Sequence, residues 1–202
     1  MIANGQTERI VEIPWLLGKI GHPESILDIG SADAKYLNDL QGNGARVTSI
    51  DTRQYSVPAG VNIIVGDAAE LPNGLADSFD LITCVSVLDH VGLEAYGNHA
   101  DPLQMDKVIS EMHRVLKAGG RLLLTVPFGR DHVTTHPGGG QRVFDAKSLL
   151  ELFDSQRWQW LSVDYWKLEN DEYNEAEWTE VKDAEYAVTR AGAVVGLELA
   201  KW

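Results

Sequence analysis

Apolar and polar positions along this chain recur in two periods, one helical and one of two. Over residues 7–20, Ile10, Ile13, Leu16, Leu17 and Ile20 fall three to four apart, which puts them on one face of a helix. Pro14 lies inside that span and lacks an N–H, so it is expected to break or kink the helix, or to open a second short one. Residues 26–29 form a short strand-like run around Asp28 that stops at Gly30, and residues 33–40 return to a helical spacing. Strands are predicted over 46–50, 61–65 and 79–85, closed by Asp51, by Gly66 and Asp67, and by Ser86. The clearest helix spans 102–117, with Asp101 placed to cap it and Pro102 suited to its first turn. Met105, Val108, Ile109, Met112 and Leu116 share its apolar face. Ala118, Gly119 and Gly120 stop it ahead of a buried strand over 121–126. Between 128 and 143 the periodicity disappears, and the glycines at 138–140 predict a loop over the sheet edge. Asp145 caps a helix reaching 153, and strands follow over 158–166 and 185–199, separated by an acidic, Trp-containing stretch at 169–183.

Strands that alternate with helices build a mostly parallel sheet with helices on both faces. Of the seven predicted strands the last two are long and lack a crossover helix between them, so the last is expected to run antiparallel. No repeat or linker interrupts the pattern. A single domain over 1–202 is predicted, with 1–22 as an N-terminal helical cap and 128–144 and 169–183 as insertions.

Composition narrows the range of partners. The 202 residues are 44% hydrophobic and 23% charged, an ordinary globular balance, but the net charge is −13. Such a surface repels phosphate backbones and anionic lipid headgroups, which argues against nucleic acid and membrane partners. One cysteine, Cys84, allows no internal disulfide and no multi-cysteine metal site, and its apolar strand setting predicts an inert core thiol. No basic region followed by an apolar run opens the chain, and no apolar run reaches membrane-spanning length, so a cytoplasmic protein is expected.

Asp28 lies in the first strand, and Asp51, Asp67 and Ser86 close the next three. In a parallel sheet these positions converge on one crevice at the carboxyl ends of the strands. Each alone also suits a strand terminator or helix cap. The full series, read with the segments ILDIGSADAKY, VTSIDTRQY, IIVGDAAELP, SFDLITCVSVLDHVG and EMHRVLKAGGRLLLTVPFG, resembles a class I S-adenosylmethionine-dependent methyltransferase of type 11-like sequence, over residues 25–129. The resemblance implies a Rossmann-like seven-stranded, mostly parallel sheet with an antiparallel last strand, and S-adenosylmethionine as cofactor. Asp28, Gly30, Ser31 and Ala32 would hold the methionine end, and Asp51 with Thr52 the ribose hydroxyls. Asp67 and the Ala68 N–H would read the adenine, while Val85 and Ser86 would meet the methionine moiety again. The segments SVLDHVGLEAYGN and QRVFDAKSLLELF resemble a subgroup that modifies sugars and natural products. This implies a small-molecule acceptor, O-methylation first and N-methylation second, with the two insertions near the acceptor.

The family's three alternating loop glycines read here as Gly30, Ala32 and Ala34, and each alanine adds a Cβ where backbone and cofactor approach. That departure keeps open a catalytically silent binding or regulatory domain. A nicotinamide-dependent oxidoreductase is the other rival, but its turn needs glycine where this chain has Ala32 and Lys35. His90, after the fourth strand, is the first candidate base, with His132 and His136 in the glycine-rich loop as further candidates. Pro137 and the glycines rule out a helical His132–His136 metal pair, so no metal is expected. Arg130 and Arg142 are candidate anion binders. Trp158, Trp160, Trp166 and Trp178 suit either an acceptor pocket or the core.

Overall fold

The computed structural model describes residues 7–42, 44–136, 139–186 and 190–202, the side chains of Asp33 and His136 excepted. In chain order the elements are α1 (Arg9–Lys19), β1 (Ser25–Ile29), α2 (Leu37–Gln41), β2 (Arg46–Asp51), β3 (Asn62–Val65), β4 (Phe79–Val85), α3 (Gln104–Val115), β5 (Leu116–Pro127), β6 (His132–His136), β7 (Gly139–Val143), α4 (Ala146–Leu152), β8 (Trp158–Glu169), β9 (Glu172–Ala176), α5 (Trp178–Val181) and β10 (Ala193–Lys201). Short 3₁₀ turns occupy Ser31–Asp33, Asn73–Leu75 and Leu88–His90.

One sheet organises the molecule, in the order β3-β2-β1-β4-β5-β10-β8-β9. β1 to β5 pair parallel, and β10 inserts antiparallel between β5 and β8. This is the expected parallel sheet with an antiparallel last strand, extended at its edge by β9, which pairs antiparallel with β8. Leu27, Ile29, Ile82, Cys84, Leu122 and Leu124 face one core cluster, whereas Ile26, Leu81, Val85 and Leu123 face the other. Successive side chains point to opposite faces and both faces are covered, which is why these strands read as unbroken apolar runs. α3, α4 and α5 cover the first face; α1 and α2 cover the second. Burying Met105, Val108, Ile109, Met112 and Val115 docks α3, at ~1.5–3 kcal/mol for each large side chain.

Pro14 neither breaks nor divides α1. It lies on the exposed side, as does Ile10, whose carbonyl loses its helical donor where solvent can replace it. The helix expected over 33–40 becomes a 3₁₀ turn and a short α2, because Ala34 is extended (φ −74, ψ 110). α3 ends at Val115, since Leu116 is already paired with Phe79, and sheet pairing therefore starts ahead of the expected glycine stop. Within the span expected to be a loop, β6 and β7 pair antiparallel, while Pro137 and Gly138 lie outside the described residues. Gly139 bridges Ala95, and a Cβ there would stand 2.5 Å from the Ala95 Cα, so this glycine serves a close backbone approach. The final strand begins at Ala193 and not at 185.

The sheet order reverses at β1, from which β2 and β3 lie to one side and β4 and β5 to the other. A crevice opens at the carboxyl ends of strands flanking such a reversal.

Candidate functional site

A cavity of ≈ 540 Å³ fills that crevice. Gly30 forms part of its wall, at φ +80, with its N–H donating to the Ile50 carbonyl over 2.8 Å. A Cβ at Gly30 would lie 2.2 Å from Val87 Cγ2, so the turn admits only glycine. Neither Ala32 nor Ala34 has positive φ. The two alanines therefore stand where an L-residue fits, and the left-handed conformation is concentrated at the glycine that the chain keeps.

Asp51, Thr52, Asp67, Ala68 and Ser86 share the cavity wall, as their positions at strand ends lead one to expect. The Asp51 carboxylate is nearly buried and accepts four hydrogen bonds. The Ala32 N–H donates to Oδ2 (2.9 Å) and the Arg53 N–H to Oδ1 (2.9 Å). The Arg53 guanidinium adds Nε to Oδ1 (3.1 Å) and Nη2 to Oδ2 (3.3 Å). Asp67 Oδ1 accepts from the Ala69 N–H (2.8 Å), and Oδ2 accepts from Gln104 Nε2 (2.8 Å). Gln104 in turn accepts the Gly92 N–H (3.0 Å), so one side chain ties the end of β3 to the loop that follows β4.

Asp28, Ser31, Ala32 and Val85 lie behind this wall and do not form part of it. Asp28 is fully buried, and its carboxylate accepts from Thr83 Oγ1 (2.6 Å), Ser31 Oγ (2.6 Å) and Tyr36 Oη (3.0 Å). Burial pushes this carboxyl up to about 6, against the pull of those three hydroxyls. Tyr36 lines the cavity from above it, with its own ionisation raised by burial and by Asp28. Asp28 thus fixes the loop that shapes the pocket.

Ser86 holds φ +45, uncommon for a residue with a side chain, and donates from Oγ to Glu12 Oε1 over 2.5 Å. Glu12 is fully buried, and burial raises its carboxyl although Arg9 and Ser86 oppose the rise. Arg9 pairs with Glu12 (3.1 Å) and donates to the Val85 carbonyl (2.7 Å), so α1 is fastened across the end of β4. Sequence reasoning passed over Glu12, yet it carried a signal: it falls four and eight residues before Leu16 and Ile20, an acid in line with the apolar face. Arg53 and Tyr96 were also passed over, and nothing local distinguished them.

Of the three histidine candidates, His90 lines the cavity. Its Nδ1 lies 2.8 Å from the Gly140 carbonyl, an acceptor only, so Nδ1 carries the proton. Nε2 lies 3.3 Å from Oδ2 of buried Asp89, and Asp89 also accepts from Gln141 Nε2 (2.8 Å). Tyr96 stands edge-on to the His90 ring, centroids 4.9 Å apart. His132 is not part of the wall, and its Nδ1 lies 2.7 Å from the Arg130 carbonyl. The His136 side chain lies outside the described residues. Arg130 pairs with Glu185 (3.1 Å), and Arg142 stacks over Phe144. None of the four tryptophans lines the cavity: Trp158 is fully buried, Trp160 donates to the Phe153 carbonyl, Trp166 packs on Trp15, and Trp178 lies under Lys182. Burial raises the Cys84 thiol, in keeping with an inert core position.

Residues 27–124 match the family described as Methyltransferase domain. Ubiquinone biosynthesis O-methyltransferase of Pseudomonas aeruginosa (strain UCBPP-PA14) is 26% identical over 126 residues, 57% of this chain and 50% of that protein, so the chain spans about half the length of this relative. Among solved structures, the fold is similar to that of Burkholderia thailandensis 1,6-didemethyltoxoflavin-N1-methyltransferase with bound 1,6-didemethyltoxoflavin and S-adenosylhomocysteine. That similarity has a TM-score of 0.67 at 18% identity and covers 98% of this chain and 79% of that one. A SAM-dependent methyltransferase from Methanosarcina mazei gives 0.65 at 20%, covering 93% of this chain and 97% of that one. The fold is that of class I S-adenosylmethionine-dependent methyltransferases, and residues 27–124 match the methyltransferase-domain family. The nicotinamide alternative falls with that result. The cavity suits the cofactor in kind: its volume is that of a small-molecule site, and it presents carboxylate acceptors at the ends of two neighbouring strands.

Proposed function

We propose that this chain transfers a methyl group from S-adenosylmethionine to a small-molecule acceptor, with oxygen as the preferred nucleophile and nitrogen second. The observation that carries the reading is the convergence of Gly30, Asp51, Asp67, Ser86 and His90 on one cavity. The Pseudomonas relative is an O-methyltransferase and the Burkholderia enzyme an N1-methyltransferase, so related chains serve both nucleophiles.

When bound, the cofactor supplies a methyl group on a positively charged sulfur. In this reading Asp51 and Thr52 receive the ribose hydroxyls, and Asp67 with the Ala68 N–H receives the adenine. Gly30 and Ser86 close the methionine end, with Asp28, Ser31, Ala32 and Val85 holding that wall from behind. His90 takes the acceptor's proton at Nε2, because Nδ1 is committed to Gly140, and Asp89 stabilises the imidazolium that forms. Positioning supplies the rest, since holding two reactants at attack distance is worth an effective molarity of up to roughly 10⁵–10⁸ M.

Calorimetry with S-adenosylmethionine and S-adenosylhomocysteine tests the reading. Micromolar binding is expected, with loss on Asp51→Ala, and no binding at millimolar ligand would sink it. A second reading, a methyltransferase-like domain with a binding role only, draws on the Asp51 carboxylate being already saturated by protein donors. Cofactor binding without turnover across hydroxyl and amine acceptors would favour it.

A further inference from the structure

We infer that Arg53 is a built-in competitor for the ribose site, whose guanidinium the cofactor must lift off Asp51. The inference rests on the assignment of Asp51 as the ribose acceptor.

A carboxylate offers about four lone-pair positions, and on Asp51 all four are taken. Two of the donors are main-chain N–H groups, of Ala32 and Arg53, set by the loops that follow β1 and β2. The other two are Nε and Nη2 of the Arg53 side chain, one on each carboxylate oxygen. A vicinal diol also presents two donors to the two oxygens, so it cannot bind Asp51 while the guanidinium fork remains in place.

The two partners differ in freedom. The Asp51 side chain is 6% exposed and the Arg53 side chain 39%, so the arginine is the partner able to move. Both residues line the cavity, where a ligand would meet them. The guanidinium carbon also lies 5.3 Å from the centroid of the half-exposed Tyr96 ring, so an aromatic face already beside the cation can keep it when the carboxylate is lost.

Salt gives the inference a distinctive signature. Added salt screens a partly exposed ion pair but has little effect on a neutral diol. S-adenosylhomocysteine should therefore bind the unaltered chain more tightly as salt rises from about 0.05 to about 0.5 M. Calorimetry on Arg53→Met should show binding about three- to tenfold tighter than in the parent at low salt, with the salt response gone. Arg53→Lys, which keeps the charge but not the fork, should fall between the two. Weaker or unchanged binding in Arg53→Met, or parental affinity that falls or stays level with salt, would overturn the inference. If Arg53→Met does not fold, the parental salt titration and Arg53→Lys decide. Asp51→Asn in the Arg53→Met background separates the two questions: if the double variant binds as tightly as Arg53→Met alone, the ribose assignment fails, whatever Arg53 does.

Discussion

The Tyr36 phenol donates to buried Asp28 across 3.0 Å, under the cavity that the Tyr36 ring helps to line. An acid buried with three hydroxyl donors, and no cation bonded to it among the described residues, stays easy to protonate. That sets its response to pH.

Asp28 is raised to about 6, so it favours the fold while protonated. This contribution is complete below the unfolded value near 3.8, shrinks as pH rises toward about 6, and is absent above it. Asp28→Asn removes the titration and keeps the contacts, because the amide oxygen still accepts from Thr83 and Tyr36. Ser31 Oγ can accept from the new NH₂ while it donates to the residue 28 carbonyl. The variant should match the parent near pH 4 and exceed it at pH 8 by up to about 3 kcal/mol in urea unfolding. A stability difference that does not vary with pH would disprove this.

Ser86 and Glu12 join elements 74 residues apart. Ser86→Ala loses a hydrogen bond to a charged acceptor and keeps the strained φ, so it should cost about 1.5–3 kcal/mol. Ser86→Gly loses the same bond but relieves the backbone and should cost less. Thermal or chemical denaturation of the pair checks the order. Equal losses would show that the φ of +45 stores no strain.

Gly30→Ala places a methyl group against Val87 at φ +80 and should destabilise the chain by about 2 kcal/mol or more. Ala32→Gly and Ala34→Gly, which restore the family's glycines, should leave cofactor affinity within about twofold and cost only about 0.5–1 kcal/mol in stability. A marked gain in affinity from either would show that the alanines do restrict the pocket.

His90→Asn should lower turnover by about 10²–10⁴-fold while cofactor affinity holds. Turnover that stays close to the parent's would assign His90 to holding β6 and β7 through Gly140 and to no proton transfer.

The central sheet was legible because its information is local. A run such as residues 26–29 ending in a turn at φ +80 that only glycine can satisfy specifies strand and turn within a few residues. Asp51, Asp67 and Ser86 could be placed together from a distance because parallel strands bring their carboxyl ends to one edge. Asp28 keeps its strand, and alternation turns it into the core, where Thr83 of the neighbouring strand meets it.

What the sequence by itself determined was the order of the strands from β1 to β5, the indispensable turn at Gly30, and the acids at the strand ends. Each of these follows from backbone preference or from periodicity within one element. The tertiary structure decided which polar groups meet across elements: Glu12 reaching Ser86, the Gly140 carbonyl fixing the proton on His90, and Arg53 lying over Tyr96 while bonded to Asp51. Contacts of that kind depend on how whole elements pack, and a buried charge accepts whichever partner the packing brings within reach.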